Sequence, residues 1–269
     1  MAGKSGNGGK LQEELIGIQC DYAVAERTSE TNGVIVKFGT HVKEIIPRTF
    51  NVKSFRFPKP ATLSYKAGQF LIATVKVEGG KELSKPFSIS SSPTENEHIE
   101  FTKKLSESEF SNTLKTLKKG DWARIDAPYG SFTFEGEHEK ICLLGGGIGI
   151  TPLRSICMYC TTKRINTKIT LLYGNRSESD IVFRKEFETM QKQNTNLKVV
   201  FILNKANRGW KGATGFINAE LVKKEMPDYK ETMFYTCGPP VMVKAMEKLV
   251  EVLGLPKAQL KREYFAGYT

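Results

Sequence analysis

The sequence feature that most limits the fold is a glycine-rich turn over residues 144–152, which read LGGGIGITP. The turn follows the apolar run Ile141–Leu144, which predicts a buried strand, and it precedes a predicted helix from Pro152. Glycines let a backbone approach a phosphate closely, and the free N–H groups of the next helix attract its charge. We therefore predict a pyrophosphate site here. Its expected contacts are Gly145, Gly146, Gly147, Ile148, Gly149, Thr151 and Pro152.

From about Lys140 onward, strand and helix patterns alternate along the chain. Further strands are predicted at Lys168–Tyr173, Leu197–Leu203 and Thr232–Thr236, and further helices at Asp180–Gln193, Asn218–Lys224 and Pro240–Leu253. This alternation predicts a doubly wound α/β fold around a parallel sheet.

The preceding residues, from about Thr40 to Glu135, have the pattern of short strands instead. Apolar residues alternate with polar ones in Phe55-x-Phe57 and Ile99-x-Phe101, and turn signals separate the runs. This pattern predicts a closed antiparallel β-barrel, with one helix at Ser106–Leu117. We expect three parts: a flexible N-terminal segment over residues 1–32 with a short helix from Leu11 to Glu26, a barrel domain over 33–137, and an α/β domain over 138–269.

The charge balance favours anionic partners. The chain has 40 basic and 29 acidic residues, a net charge of +11. Nucleic acid is not expected as a partner, because no zinc finger, basic helix or aromatic RNA-binding motif accompanies the charge. The longest apolar runs are far shorter than the roughly 20 residues of a membrane span, and no secretory leader opens the chain. We therefore expect a cytoplasmic protein without an integral membrane segment.

The cysteine pattern argues against a disulfide framework or a metal site. Five cysteines are an odd number, and the pair Cys157 and Cys160 has no second pair or nearby histidine to complete a zinc site. The simplest interpretation of this pair is two small apolar residues on one helix face, with a redox dithiol as the alternative. No metal ion is expected.

Two further motifs carry candidate chemistry. Residues 237–240, CGPP, follow the predicted strand Thr232–Thr236 at the carboxyl edge of the sheet, where ligands usually bind. Residues 85–93, KPFSISSSP, combine a cation, an aromatic ring and hydroxyl groups in the barrel half. Such a combination suits a phosphate, a flat ring and a polar ring atom.

These three segments, in this order, resemble the ferredoxin–NADP reductase-like flavoprotein superfamily. Three shorter elements add to the resemblance, which extends from about Thr40 to Tyr268: YKAGQF at 65–70, PYGSF at 128–132 and LYGNR at 172–176. The resemblance implies FAD on the barrel and NADH or NADPH on the parallel sheet. It also implies an NAD(P)H-dependent flavin oxidoreductase, in which nicotinamide C4 delivers a hydride to flavin N5.

The flavin motif of the family, R-x-[YF]-S, is present with one change. Lys85 stands in place of the arginine, Phe87 takes the aromatic position and Ser88 matches, so Ser88 is expected near flavin N5 as a catalytic residue. The remaining flavin contacts implied by the resemblance are Pro86, the backbone amides around Ile89 and Ser90, the helical residues Ser111 and Asn112, and the C-terminal aromatics Phe265 and Tyr268.

On the nucleotide side, Cys237 is expected near nicotinamide C4, where packing against the ring is a sufficient role for a catalytic residue. Further nucleotide contacts implied by the resemblance are Gly238, Pro239, Pro240, Asn175, Arg176 and Lys205. The serine–arginine pair that many NADPH-dependent members place beyond the third strand is missing, which favours NADH, although Lys205 and Arg176 leave NADPH open.

The electron acceptor is expected to be a separate small acidic carrier protein such as ferredoxin, because the chain lacks the cysteine runs of an iron–sulfur cluster. The alternatives are an oxygenase component, a haem protein, a quinone, or a non-catalytic flavin-binding subunit. The basic residues expected to steer an acidic carrier toward the flavin are Lys115, Lys118 and Lys119, followed by Lys261 and Arg262.

Overall fold

The computed structural model describes residues 24–27 and 34–265. The antiparallel half of this part contains the helix α1 (Glu109–Thr116) and eight strands. These strands are β1 (Val24–Arg27), β2 (Val34–His41), β3 (Glu44–Thr49), β4 (Val52–Pro58), β5 (Phe70–Lys76), β6 (Glu82–Ser88), β7 (His98–Lys104) and β8 (Trp122–Tyr129).

Two antiparallel sheets surround the core of this half. One has the strand order β1-β2-β8-β5-β6 and the other the order β3-β4-β7, and a bridge between Ile89 and Phe101 joins them. Phe55, Phe57 and Phe101 are fully buried between the sheets, with Phe101 stacked on the other two rings. The alternation seen in the sequence thus places the aromatic side chains inside, which confirms the predicted antiparallel domain.

The second half alternates strands and helices as predicted. Its elements are β9 (Lys140–Gly146), α2 (Ile150–Lys163), β10 (Lys168–Asn175), α3 (Arg184–Gln193), β11 (Leu197–Leu203), β12 (Ala213–Thr214), α4 (Ala219–Glu225), β13 (Met233–Gly238), α5 (Pro240–Val252) and β14 (Leu260–Tyr264). They form one sheet with the order β12-β11-β10-β9-β13-β14, in which every neighbouring pair is parallel.

Helices cover both faces of this sheet. In β9, Ile141 and Leu143 join the core with α2 and α3, whereas Cys142 and Leu144 join the core with α4 and α5. A strand buried on both faces needs apolar residues at every position, which is why β9 is a continuous apolar run. The doubly wound parallel sheet is therefore confirmed.

Two predicted helices need correction. The helix expected from Asp180 begins at Arg184, because Phe183 adopts a left-handed conformation with φ 62° and separates α3 from a short turn at Glu178–Asp180. The helix expected from Leu11 to Glu26 is wrong at its end, where Val24–Arg27 form β1 and pair with β2. The rest of that helix lies outside the described residues.

The two halves share an apolar interface. Phe132 and Phe134, which follow β8, lie edge-on to Tyr235 of β13 with ring centroids 5.6 and 6.0 Å apart. Cys157 and Cys160 are buried on α2 in the same core, where burial raises the pKa of both thiols, in agreement with the interpretation as apolar residues. Within the described residues, no helix is long and apolar enough to span a membrane.

Candidate functional site

A cleft opens between the two halves at the end of β6 and the carboxyl edge of the parallel sheet. Three segments meet around this cleft: the flavin motif at residues 86–88, the glycine-rich segment before α2, and the end of the C-terminal strand β14. Its lining residues are Phe70, Pro86, Phe87, Ser88, Thr102, Ile148, Thr151, Glu263, Tyr264 and Phe265. Residues from distant parts of the chain thus meet where the sequence predicts two ligands to meet.

Residues 85–88 approach the cleft along β6. Ser88 pairs with Phe70 at the end of the antiparallel ladder, so the strand ends at the cleft wall. The ring of Phe87 stacks on Phe101 with centroids 4.6 Å apart, while Lys85 and Pro86 are exposed. Pro86, Phe87 and Ser88 therefore follow one another along one wall of the site, and Lys85 precedes them on β6.

The amides of Ile89 and Ser90, which were expected to bind phosphate, both donate to backbone carbonyls. The Ile89 amide donates to the carbonyl of Gln69 at 2.9 Å, and the Ser90 amide donates to the carbonyl of Glu100 at 2.8 Å. The Ile89 side chain lies in the barrel core, and the Ser90 hydroxyl donates to the carboxylate of Glu100. Strand pairing has used the donors that a phosphate needs.

Ser111 and Asn112 do not line the cleft. The Ser111 hydroxyl is buried in a cluster with Ser106 and Ser108, and the Ser108 side chain caps α1 by accepting from the Ser111 amide. Asn112 is exposed and accepts from Lys115. Helix capping accounts for the serines of this segment. The role of Ser111 and Asn112 in pyrophosphate binding remains a prediction.

The glycine-rich segment contains two different kinds of glycine. A Cβ on Gly149 would lie 2.4 Å from the carbonyl oxygen of Cys237, so close packing of two loops excludes any side chain there. Gly147 has φ +50°, and a Cβ on it would meet no atom within 4 Å. The backbone at Gly147 therefore faces open space, as an approaching phosphate requires.

Cys237 is fully buried beside this segment. Its Sγ donates to the carbonyl of Gly149 at 3.2 Å, which ties the end of β13 to the glycine-rich loop. Burial, with a smaller effect from Glu263, raises the pKa of the Cys237 thiol well above its ordinary value. The thiol is therefore protonated at neutral pH and serves for packing rather than as a nucleophile.

The nucleotide-side residues cluster at the same sheet edge. The Lys205 amide donates to the carbonyl of Arg176 at 2.8 Å, so the loops after β10 and β11 are adjacent, and both side chains are exposed. Asn175 is buried and, among the described residues, its Oδ1 has no hydrogen-bond partner. Gly238 lies beside Gly149, and Pro239 and Pro240 begin α5.

The C-terminal strand completes the cleft. The Phe265 amide donates to the carbonyl of Gly238 at 2.9 Å, and Phe265 lines the cleft; its role as an aromatic cover of the flavin remains a prediction. Tyr268 lies outside the described residues. One of the lining residues that the sequence interpretation missed is Glu263, which pairs in register with Cys237. Desolvation raises the pKa of Glu263 to about 7.

Arg154 is a second residue that sequence reasoning missed. It lies on α2, just beyond the glycine-rich turn, and its side chain is almost fully buried between the two halves. The signal for it in the sequence is a lone arginine on the apolar helix face that also carries Cys157. A buried arginine needs several partners, and none is predictable from its neighbours in the chain.

The site fits two dinucleotides. Aromatic and hydroxyl side chains line the cleft, Gly147 leaves open space before the helix α2, and the orphaned Oδ1 of Asn175 is an acceptor at the sheet edge. Lys85 would supply charge to a flavin phosphate, and Ser88 a hydroxyl beside the ring. Within the described residues, no group of three or more His, Cys, Asp or Glu side chains is arranged to hold a metal ion.

Comparison with known families matches both halves of the chain. Residues 39–134 match the oxidoreductase FAD-binding domain family, and residues 143–248 match the oxidoreductase NAD-binding domain family. An NADH-cytochrome b5 reductase 1 of Aspergillus terreus is 32% identical over 231 residues, which is 81% of this chain and 78% of that protein. An NADH-cytochrome b5 reductase 1 of Dictyostelium discoideum is 31% identical over 226 residues, with 81% and 79% covered.

Solved structures share the fold. The cytochrome b5 reductase domain of Ulva prolifera nitrate reductase aligns with a TM-score of 0.74 and 24% identity over 84% of this chain and 96% of that one. A ferredoxin NADP+ reductase from Neisseria gonorrhoeae aligns with a TM-score of 0.74 and 19% identity, over 85% and 98%. With both domain families matched and the relatives covered over most of their length, the chain belongs to the family of oxidoreductases with an FAD-binding and an NAD-binding domain that includes the NADH-cytochrome b5 reductases.

Proposed function

We propose that this protein uses NADH to reduce a small haem-carrying electron-transfer protein of the cytochrome b5 type. The observation that carries the proposal is the likeness to NADH-cytochrome b5 reductases over 81% of the chain, together with the cleft that joins the two cofactor motifs. This choice favours the haem-protein alternative over the ferredoxin expected from the sequence.

The side chains of the cleft have distinct proposed roles. When bound, FAD accepts a hydride from NADH and releases electrons to the carrier. Ser88 orients the flavin at the end of β6, and Phe265 covers the ring until the nicotinamide takes its place. Cys237 holds the glycine-rich loop through Gly149 and shapes the floor beneath the nicotinamide.

NADH is the proposed reductant rather than NADPH. The curated relatives are named as NADH enzymes, and no serine–arginine pair follows β11. Arg176 and Lys205 are the cations at this edge, and Glu178 lies beside them, hydrogen-bonded to Asn207. Glu178 pairs with the guanidinium of Arg184, which lowers the pKa of the Glu178 carboxyl, so Arg184 adds no free positive charge for a 2′-phosphate.

Two of the basic residues expected to steer the carrier lie away from the cleft. Lys118 and Lys119 lie in the turn before β8, whereas the other end of that strand, Tyr129, stacks on the cleft residue Phe70. An eight-residue strand is about 25 Å long, so this turn is remote from the cleft.

A better-placed cation is Lys104, which is exposed and follows the cleft residue Thr102 on β7. The other predicted cations are paired with carboxylates: Lys115 with Glu107, Lys261 with Glu137 and Arg262 with Glu247.

The test is a steady-state assay of the purified flavoprotein. NADH and NADPH are each offered with cytochrome b5, a plant-type ferredoxin and ferricyanide at equal concentrations. We expect NADH to support cytochrome b5 reduction at least tenfold faster than NADPH does, and faster than ferredoxin reduction. Ferricyanide reports flavin turnover without a docking requirement, so ferricyanide reduction with no cytochrome b5 reduction would refute the proposed acceptor alone.

A further inference from the structure

A buried ion network crosses the interface between the two halves of the molecule. Its centre is Arg154 on α2, which is 2% exposed. The network extends through Glu186 of α3 to Arg48 of β3, and from Arg48 to Glu100 of β7. Glu100 is fully buried and also accepts from Arg56, and the surrounding arginines and Ser90 hold its pKa below the usual range despite burial.

Every N–H of the Arg154 guanidinium is used. Nε donates to Glu186 at 2.9 Å, and Nη2 donates to Glu186 at 2.7 Å and to Glu95 at 3.2 Å. Nη1 donates to Glu95 at 2.5 Å and to the backbone carbonyl of Ser90 at 2.8 Å. Only a guanidinium has five donors in a fixed plane, so lysine cannot reproduce this arrangement.

The partners of Arg154 include the segment that continues from the flavin-type motif. Besides the Ser90 carbonyl, the next residue on the helix, Ser155, donates to the carbonyl of Ser91 at 2.7 Å. Glu95 in turn accepts from the Ser92 amide at 2.6 Å. The α/β half therefore holds three consecutive residues of the barrel half, beginning two positions after Ser88.

The same helix borders the nucleotide side of the cleft. Thr151, in the first turn of α2, lines the cleft opposite Ser88, and Arg154 follows one turn later. Helix α2 thus lines the cleft through Thr151 and hydrogen-bonds to the segment that follows Ser88 through Arg154 and Ser155. Its position relative to Ser88 sets the spacing between the two walls of the cleft.

An unusual backbone conformation supports the network. Phe183 has φ +62°, which is rare for a bulky residue and is maintained only where the surroundings demand it. The guanidinium carbon of Arg48 lies 4.7 Å from the ring centroid of Phe183, and that of Arg154 lies 5.5 Å from it. The left-handed residue thus places an aromatic ring against both arginines that cross the interface.

We propose that Arg154 is a positioning residue for hydride transfer, which it serves by locking the Ser90–Ser92 segment of the barrel half onto helix α2 of the nucleotide half. The proposal rests on the proposed placement of flavin and nicotinamide in the cleft, but not on the identity of the electron acceptor. Arg154 touches neither cofactor in this scheme. It acts through the carbonyl of Ser90 and the carboxylate of Glu95.

The test measures flavin reduction by NADH in anaerobic stopped-flow, with no acceptor present. For Arg154→Lys we expect the limiting rate constant to fall by about 10- to 100-fold, because displacements on the order of 1 Å have this effect on a positioned reaction. The dissociation constant of NADH from the same titration and the FAD content should stay within about twofold, since the residues of both binding motifs are unchanged.

Two further variants keep the test decisive. Ser155→Ala removes one bond of the same lock without leaving a buried charge, so it should lower the limiting rate by a few-fold in a folded protein. Arg124→Lys is the matched control, because Arg124 also pairs with two carboxylates, Glu82 and Asp126, but within the barrel half. Its rate should equal that of the wild type.

The outcomes separate the possibilities. A wild-type limiting rate in Arg154→Lys, or a loss seen only in NADH affinity or FAD content, would overturn the proposal. If Arg154→Lys does not fold, the limiting rate of Ser155→Ala decides: a rate lower by a few-fold supports the proposal, and a wild-type rate overturns it. Failure of the proposed function would appear in the steady-state assay instead. There, NADH would reduce the flavin of the wild-type protein, but the protein would not reduce cytochrome b5.

Discussion

Alanine at two glycines of the same turn should have opposite consequences. A methyl group on Gly149 would lie 2.4 Å from the carbonyl oxygen of Cys237 and 3.2 Å from the Cα of Gly238. Both neighbours are backbone atoms, so the two loops must move apart by about 1 Å to restore van der Waals distance. Overpacking of this kind costs about 3 kcal/mol of unfolding free energy.

Gly147 is the matched comparison. Its φ of +50° costs alanine about 1 kcal/mol, but the added methyl group meets no atom within 4 Å. The methyl group instead projects into the open space that the nucleotide is proposed to occupy. Gly147→Ala should therefore keep most of the stability and lose NADH affinity, whereas Gly149→Ala should lose stability and slow flavin reduction.

The assay combines thermal unfolding with a stopped-flow titration of NADH. A loss of 3 kcal/mol corresponds to a fall in Tm of roughly 6–12 °C in a protein of this size, against about 2–4 °C for 1 kcal/mol. Gly147→Ala should raise the NADH dissociation constant about tenfold or more, because a methyl group displaces the pyrophosphate from the backbone. A Tm for Gly149→Ala equal to that of Gly147→Ala would refute the assignment of the two glycines to packing and binding.

Three further perturbations test the site and its surroundings. Burial raises the pKa of Glu263 from 4.5 to about 7, so the native state holds this proton more tightly and stability is lost as pH rises from about 4.5 through 7. This pH-dependent loss of unfolding free energy amounts to up to about 3 kcal/mol, and Glu263→Gln should remove it. A fall in the Tm of Glu263→Gln between pH 5 and pH 8 as large as that of the wild type would disprove this. Cys237→Ala should slow flavin reduction by NADH and leave FAD bound, and an unchanged reduction rate would move the nicotinamide elsewhere. Lys104→Glu should slow the reduction of an acidic carrier at low salt more than the double change of Lys118 and Lys119 to Glu does. The reason is that the turn with Lys118 and Lys119 lies two to three Debye lengths from the cleft. Equal effects of the two changes would remove the docking argument.

Some of the cleft was predictable because its chemistry is local in the chain. The glycine-rich turn needs only a strand before it and a helix after it, and all three lie within about twenty residues of one another, as the structure has them in β9 and α2. The flavin motif is likewise contiguous in the chain, and its residues Pro86, Phe87 and Ser88 all line the cleft. The amides of Ile89 and Ser90 could not be judged in this way, since their acceptors, Gln69 before β5 and Glu100 on β7, belong to other segments of the chain.

The sequence by itself determined the two-domain architecture, because strand and helix periodicities and glycine-rich turns are properties of neighbouring residues. Only the tertiary structure decided which side chains work together. Arg154 reaches Glu186, Glu95 and Ser90 across 32, 59 and 64 residues of chain, and Lys118 lies before β8, at the end of that strand opposite the cleft. The physical reason is that burial, ion pairing and a raised pKa such as that of Glu263 depend on what surrounds a group in space, and folding brings those surroundings from distant segments.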